Sequence, residues 1–267
     1  MQNLVAVQQH LLGMMSSLDD FLETHGLDYC LIAGSALGAA RHGGFIPWDD
    51  DIDIAMPRAD FERLINLAGR LPSPLRLSAH QTDPDHPYGF IKIYDTTTSL
   101  SEAFIRPVRR GVWIDVFPLD QAPAAVSVRL FQTMVIKRLN RLLRLRHGAL
   151  RPNTRNRAKF LMLGWLIGLL PKTLPSRLLH AACHRRGNAS MVGNYLSGYQ
   201  AKEFFDPKVY FPTRRVPFEG TALRVPAQLE QYLEGLYGNW RKLPPPERQV
   251  PGHDAVHARL DHSYLDG

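Results

Sequence analysis

Acidic residues are missing from nearly a third of this 267-residue chain. Between Gln121 and Lys202 there is no Asp or Glu, while 15 Lys or Arg fall in the same stretch. The rest of the chain holds 17 basic against 25 acidic residues, so the formal charge of +7 belongs to one block set in a mildly acidic body. A block of that kind calls for an anionic partner or a well-solvated face. Cysteine is scarce too. Cys30 and Cys183 lie far apart with no CxxC or Cys/His spacing, which excludes a disulfide framework and a cysteine zinc site and fits a reducing compartment. Long apolar runs are absent: FLMLGWLIGLL (160–170) has eleven residues between Lys159 and Lys172, against the roughly 20 that a membrane span needs. It reads either as a buried core helix or, given its basic flanks, as a helix lying on a membrane surface. The N-terminus has no basic segment followed by an unbroken apolar run. It is expected to be an amphipathic helix rather than a secretory signal, which places the chain in the cytoplasm, with peripheral contact at the inner membrane face as a further expectation. Internal repeats and low-complexity tracts are missing as well. Composition is otherwise that of a folded globular protein, 45% hydrophobic and 21% charged.

What is present is an unusual concentration of carboxylates. GGFIPWDDDIDI (43–54) puts four Asp in five positions, Asp49, Asp50, Asp51 and Asp53, after a Gly/Pro turn and Trp48. The pattern around it alternates elements. Residues 3–25 have helical spacing; Tyr29 to Ala33 reads as a short buried strand, which Gly34-Ser35 ends; 36–41 suits a short helix; Asp51 to Ala55 alternates acid with apolar as a half-buried strand does. A helix over 58–70 and strands over 88–94, 99–105 and 112–117 complete a mixed α/β section. The basic section reads as helical over 127–147. The Pro- and aromatic-rich section after residue 200 is expected to wrap irregularly and end in a loose tail.

On a strand, Asp51 and Asp53 point to one side, about 6.5 to 7 Å apart, and can converge on one cation. Mg²⁺ favours such hard oxygen ligands together with phosphates. Asp115 in VWIDVFP, between Ile114 and Val116, is a third candidate acid on a neighbouring strand. Asp49 and Asp50 either join the metal or merely solvate the start of the strand. An EF-hand reading of Asp49, Asp51, Asp53 and Asp60 fails because Ile54 stands where Gly is needed and Pro57 at the ninth position. Gly34-Ser35, between a strand and a helix, presents backbone N–H groups suited to phosphate.

Several blocks together resemble the LicD family, which includes fukutin and fukutin-related protein. The long signature is AGSALGAARHGGFIPWDDDIDIAMPRADFERL; IKIYDTTT, GVWIDVFPLD, VYFPTRRVPFEG and LYGNWRKLPPP follow in the family's order. The resemblance covers about 26–120 and about 205–246, leaving the basic section without a matching motif. It implies a nucleotidyltransferase-like mixed sheet flanked by helices, α/β (α+β), carrying a basic helical insertion. The expected division is a catalytic core over 1–120, the insertion over 121–202, which would dock on membrane or glycan, and a family segment over 203–267 packed on the core. It also implies transfer of phosphocholine or a polyol phosphate from a CDP-linked donor to a cell-surface glycan or its lipid-linked precursor, with Mg²⁺ or Mn²⁺. Asp51, Asp53 and Asp115 would be the metal-binding and catalytic acids, Asp115 being favoured as the base. Gly34, Ser35, Arg41 and Lys92 would meet phosphates. Trp48 would stack on cytosine, hold a quaternary ammonium, or simply anchor the core. Two other functions stay open: a nucleotidyltransferase acting on nucleic acid or a small molecule, and an inactive lipid- or glycan-binding adaptor. Nucleic acid is disfavoured because the basic section has only five aromatic residues for stacking.

Overall fold

The structure is a computed structural model that describes residues 2–102, 108–149, 157–171, 173–184, 190–252 and 258–266. In chain order the elements are α1 (Gln2–Thr24), β1 (Cys30–Leu31), α2 (Ala33–His42), β2 (Ile52–Pro57), α3 (Arg58–Asn66), β3 (Leu75–Ser78), β4 (Ile91–Asp95), β5 (Leu100–Glu102), β6 (Val108–Arg110) and β7 (Trp113–Ala122). Then follow α4 (Val126–Arg146), α5 (Arg157–Gly168), α6 (Leu174–Cys183), β8 (Met191–Gly193), β9 (Phe204–Phe205), α7 (Pro207–Tyr210), β10 (Arg214–Phe218), β11 (Thr221–Val225) and α8 (Leu229–Tyr237).

The central sheet has the order β1-β2-β7-β4-β3, with β8 and β9 continuing from the far end of β7. β2 and β7 are parallel; β1, β4 and β3 run antiparallel to their neighbours. This is the mixed sheet flanked by helices that the strand pattern anticipates. One face of its middle strands is packed into the core: Ile52, Ile54, Ile114 and Val116 have no exposed surface. Burial of four β-branched side chains contributes roughly 1.5–3 kcal/mol each. α1 lays Val7, Leu11, Met15, Leu18 and Leu22 into the same core at helical spacing. A second, smaller core gathers Ala122, Ile136, Leu143, Leu179, Cys183, Tyr195 and Phe204 beneath α4 and α6. The basic section is joined to the main sheet by β8, whose Gly193 pairs with Asp120 on β7.

Three local expectations change. β1 is only two residues long, because Ala33 adopts a left-handed backbone (φ 48°) that turns the chain straight into α2. Gly34 and Ser35 therefore lie inside the first helical turn instead of preceding the helix. α5 is not a buried core helix: Met162 is 60% and Trp165 67% exposed. The C-terminal section is regular and tied down. It supplies the β10–β11 hairpin and α8, and its tail bonds back through Arg259 to Ser99 and through Tyr264 to Thr98. The strand expected over 99–105 appears as Leu100–Glu102, with 103–105 outside the described residues, as is Lys172.

Candidate active site

Register across three strands builds the floor of the site. β2 pairs Asp53 with Asp115 on β7, and β4 pairs Lys92 with the same Asp115. Directly opposed residues project to one face, so Asp53, Asp115 and Lys92 form a row. The Lys92 ammonium lies 2.8 Å from Asp115 Oδ1 and donates to Oδ2 at 3.1 Å. Lys92 is buried and boxed by aromatic rings, 3.9 Å from the Trp113 centroid, 4.9 Å from Tyr88 and 5.7 Å from Phe90. Such faces attract a cation, so the sheet holds the lysine against the acid. Lys92, expected to reach a substrate phosphate, is committed to Asp115.

Beside this row stands the acidic loop. Carboxylate oxygens of Asp49, Asp50 and Asp51 lie within 4.8 Å of one another, and Asp50 and Asp51 are buried. Like charges that close repel. A shell made only of carboxylate oxygen suits a hard divalent cation, so these residues fit the metal that the family resemblance implies. The position of Asp49 and Asp50, left open by the sequence, is thus within the converging group. Asp53 and Asp115 are not in that group of three but in the adjoining strand row, with Asp53 half-exposed. The loop is fixed from outside by Gln8 on α1, whose amide donates to the carbonyls of Asp49 (2.8 Å) and Ile46 (3.2 Å).

The start of α2 meets the acids directly. A Cβ on Gly34 would come 2.6 Å from Asp49 Oδ2, so any side chain there would push that carboxylate aside. Ser35 Oγ accepts the Asp53 N–H at 2.9 Å, locking the helix start to the acid strand. The first-turn N–H groups of Gly34 and Ser35 have no carbonyl partner within the helix, the usual basis of phosphate binding at a helix N-terminus. The Ala33 N–H donates to the Tyr232 hydroxyl (3.0 Å), which donates to Glu203 (3.1 Å). Glu203 is fully buried, and that burial pushes its carboxyl up to about 7. Tyr199 and Tyr237 share a 2.7 Å hydroxyl contact. Burial raises both phenols, and the charge of Asp53 adds to it.

Two expected site residues are engaged elsewhere. Arg41 donates to the Trp240 carbonyl (3.2 Å) and to His42 Nε2 (3.0 Å), which ties α2 to the C-terminal section. Trp48 is half-buried against the core, edge-on to His42 with ring centres 6.4 Å apart. Sequence reasoning missed Tyr199, Glu203, Tyr232 and Tyr237. For Tyr237 a signal existed, since it lies in the LYGNWRKLPPP block; Glu203 is the first acid after the long basic stretch.

Comparison with known families matches residues 26–123 to the family described as LicD/FKTN/FKRP, nucleotidyltransferase domain. The chain carries a LicD-family nucleotidyltransferase domain. That LicD domain contains the start of α2, the acidic loop, Lys92 and Asp115, whereas the four missed residues come from outside it. Similarity extends further against the lipopolysaccharide cholinephosphotransferase LicD of Haemophilus influenzae, at 26% identity over 274 residues, covering 95% of this chain and 97% of that protein. The ribitol 5-phosphate transferase FKRP of mouse and of human is 48% identical over 48 residues, 18% of this chain and 10% of each relative.

Proposed function

We propose that this chain, a LicD-type phosphotransferase, moves phosphocholine or a polyol phosphate from a CDP-linked donor to a hydroxyl of a cell-surface glycan or its lipid-linked precursor. The observation that carries this reading is the meeting of the α2 N-terminus with the acidic loop inside a LicD domain. The near full-length similarity to a cholinephosphotransferase supports it. The phosphate classes in the relatives' names, cholinephosphate and ribitol 5-phosphate, support this choice of transferred groups.

In this reading Asp49, Asp50 and Asp51 would hold a divalent cation. When bound, such an ion offsets charge on the donor's phosphate oxygens. Gly34 and Ser35 N–H groups orient the diphosphate. The acceptor oxygen forms a bond to the phosphorus that bears the choline or polyol, the bond from that phosphorus to the bridging oxygen breaks, and CMP leaves with the electron pair. Asp53, half-exposed in the row, takes the hydroxyl proton. Asp115, held by Lys92, keeps the anionic floor in place.

The acid-free section serves as a docking surface for an anionic membrane at the inner face, where a lipid-linked acceptor would be presented. Of 15 exposed large hydrophobic residues among those described, 11 lie between Val126 and Leu178. Cationic charge with exposed apolar side chains favours a lipid surface over nucleic acid, which adds roughly 1 kcal/mol per basic residue near the membrane. Among the described residues no helix is long and apolar enough to cross a membrane. Flotation with liposomes should show binding to anionic vesicles and not to neutral ones; equal behaviour would remove the docking role.

Calorimetric titration with CDP-choline, CDP-ribitol, CDP-glycerol and CMP, with and without Mg²⁺, tests the transferase reading. Metal-dependent binding of one CDP donor is expected and names the transferred group. Failure of every cytidine nucleotide to bind in the presence of metal would refute it.

A further inference from the structure

α3 and α6 meet away from the acidic loop, and three metal-ligating side chains converge there. Glu62 comes from α3, His180 from the last turn of α6, and His184 caps that helix. His180 Nε2 lies 3.2 Å from Glu62 Oε1, and His184 Nδ1 lies 3.7 Å from the same oxygen. All three donor atoms are within 4.8 Å of one another. Histidines four positions apart share a helix face, and here their rings are stacked, 5.2 Å apart and 11° from parallel.

These distances have a chemical meaning. In a tetrahedral shell with metal–ligand bonds of about 2.0–2.1 Å, neighbouring donors stand roughly 3.4 Å apart. The two measured separations bracket that value. One histidine would suffice to hydrogen-bond Glu62; the second, at 3.7 Å, is beyond hydrogen-bond reach and within ligand reach. Two imidazoles and a carboxylate select zinc and its borderline neighbours, not Mg²⁺. Both histidines sit at the carbonyl end of α6, where the helix dipole favours a cation. Asp120 lies close by, bonded through both oxygens to Arg58 at 2.7 Å, and adds negative charge that the arginine keeps in place. The ligands are 39–47% exposed, so an ion has access from solvent.

We propose that Glu62, His180 and His184 form a zinc-binding site that fastens the basic helical section to the LicD domain. Glu62 belongs to the domain and both histidines to the acid-free section, so one ion links the two by coordination.

The test uses untagged full-length protein stripped with EDTA and titrated with Zn²⁺. The same titration on Asp51→Asn separates this site from metal bound at the acidic loop. In both backgrounds one Zn²⁺ should bind with the affinity of this site, and H180A/H184A should weaken that binding by about 100-fold. Co²⁺ should give the intense visible bands of a tetrahedral site in the unmodified chain and lose them in H180A/H184A. Amide exchange in α6 should slow on adding Zn²⁺. If H180A/H184A does not fold, Glu62→Gln must show the same loss. Zn²⁺ affinity unchanged in the folded variant, or no Zn²⁺ binding by the unmodified chain, overturns the site; binding without slower α6 exchange overturns the fastening.

Discussion

Lys92 on β4 and Asp115 on β7 are paired by register and joined by a 2.8 Å ion contact, both largely shielded from water. A charge in that position has no solvent to fall back on. Lys92→Met should therefore cost about 3–5 kcal/mol of stability by leaving Asp115 uncompensated. Urea unfolding measures it. Lys92→Met with Asp115→Leu should recover most of that loss while abolishing activity. A single-variant cost below about 1 kcal/mol would mean the pair is solvated.

Asp51→Asn should keep the fold and cut transfer by at least about 10²–10³-fold, the scale expected on loss of one group that stabilises charge in the transition state. Circular dichroism and a transfer assay with the donor identified by calorimetry check the two halves. Full activity in a folded Asp51→Asn chain would remove the acidic loop from the mechanism.

Gly34→Ala tests the close approach. Its methyl group would displace the Asp49 carboxylate from 2.6 Å, and a 1 Å misplacement at a reacting centre costs about 100-fold. Turnover should drop by that order, with a small change in unfolding temperature. Unchanged turnover would show that Asp49 is not positioned by this contact.

Glu203 predicts a pH dependence of known sign. Burial raises its carboxyl from 4.5 to about 7, so the folded chain binds the proton more tightly than the unfolded chain. That contribution, at most about 3 kcal/mol, is complete below about pH 4.5 and is lost as pH rises through about 7. Stability should fall between about pH 5 and pH 8 in the unmodified chain and fall less in Glu203→Gln. Parallel profiles for the two proteins would show that Glu203 does not titrate in this range.

Local features were legible in the sequence; long-range pairings were not. The alternation in Asp51-Ile52-Asp53-Ile54 marks β2 because one strand face is buried, and Ile114-Asp115-Val116 marks β7 in the same way. The pairing of Lys92 with Asp115 was not legible because it depends on the register between β4 and β7, which no single segment encodes. The start of α2 was misread because Ala33, an ordinary residue by type, takes a left-handed conformation. The N–H of Ala33 is answered by Tyr232, 199 positions away. Exposure of α5 was open in the sequence because an apolar run has the same composition on a core helix and on a surface one.

The acidic loop is also held from the far end of the chain. Glu219, at the tip of the β10–β11 hairpin, accepts the Phe45 N–H at 3.0 Å and donates its own N–H to Gly43. A nascent chain therefore has every carboxylate of the loop long before it has the means to hold them. Until the hairpin and α8 leave the ribosome, Gly43, Phe45 and Ala33 lack their partners. Contacts so distant in sequence close late and slowly. The frame around the acids is therefore complete only once the hairpin and α8 exist, and a chain that stops before them carries the acids without the clasp that holds the loop.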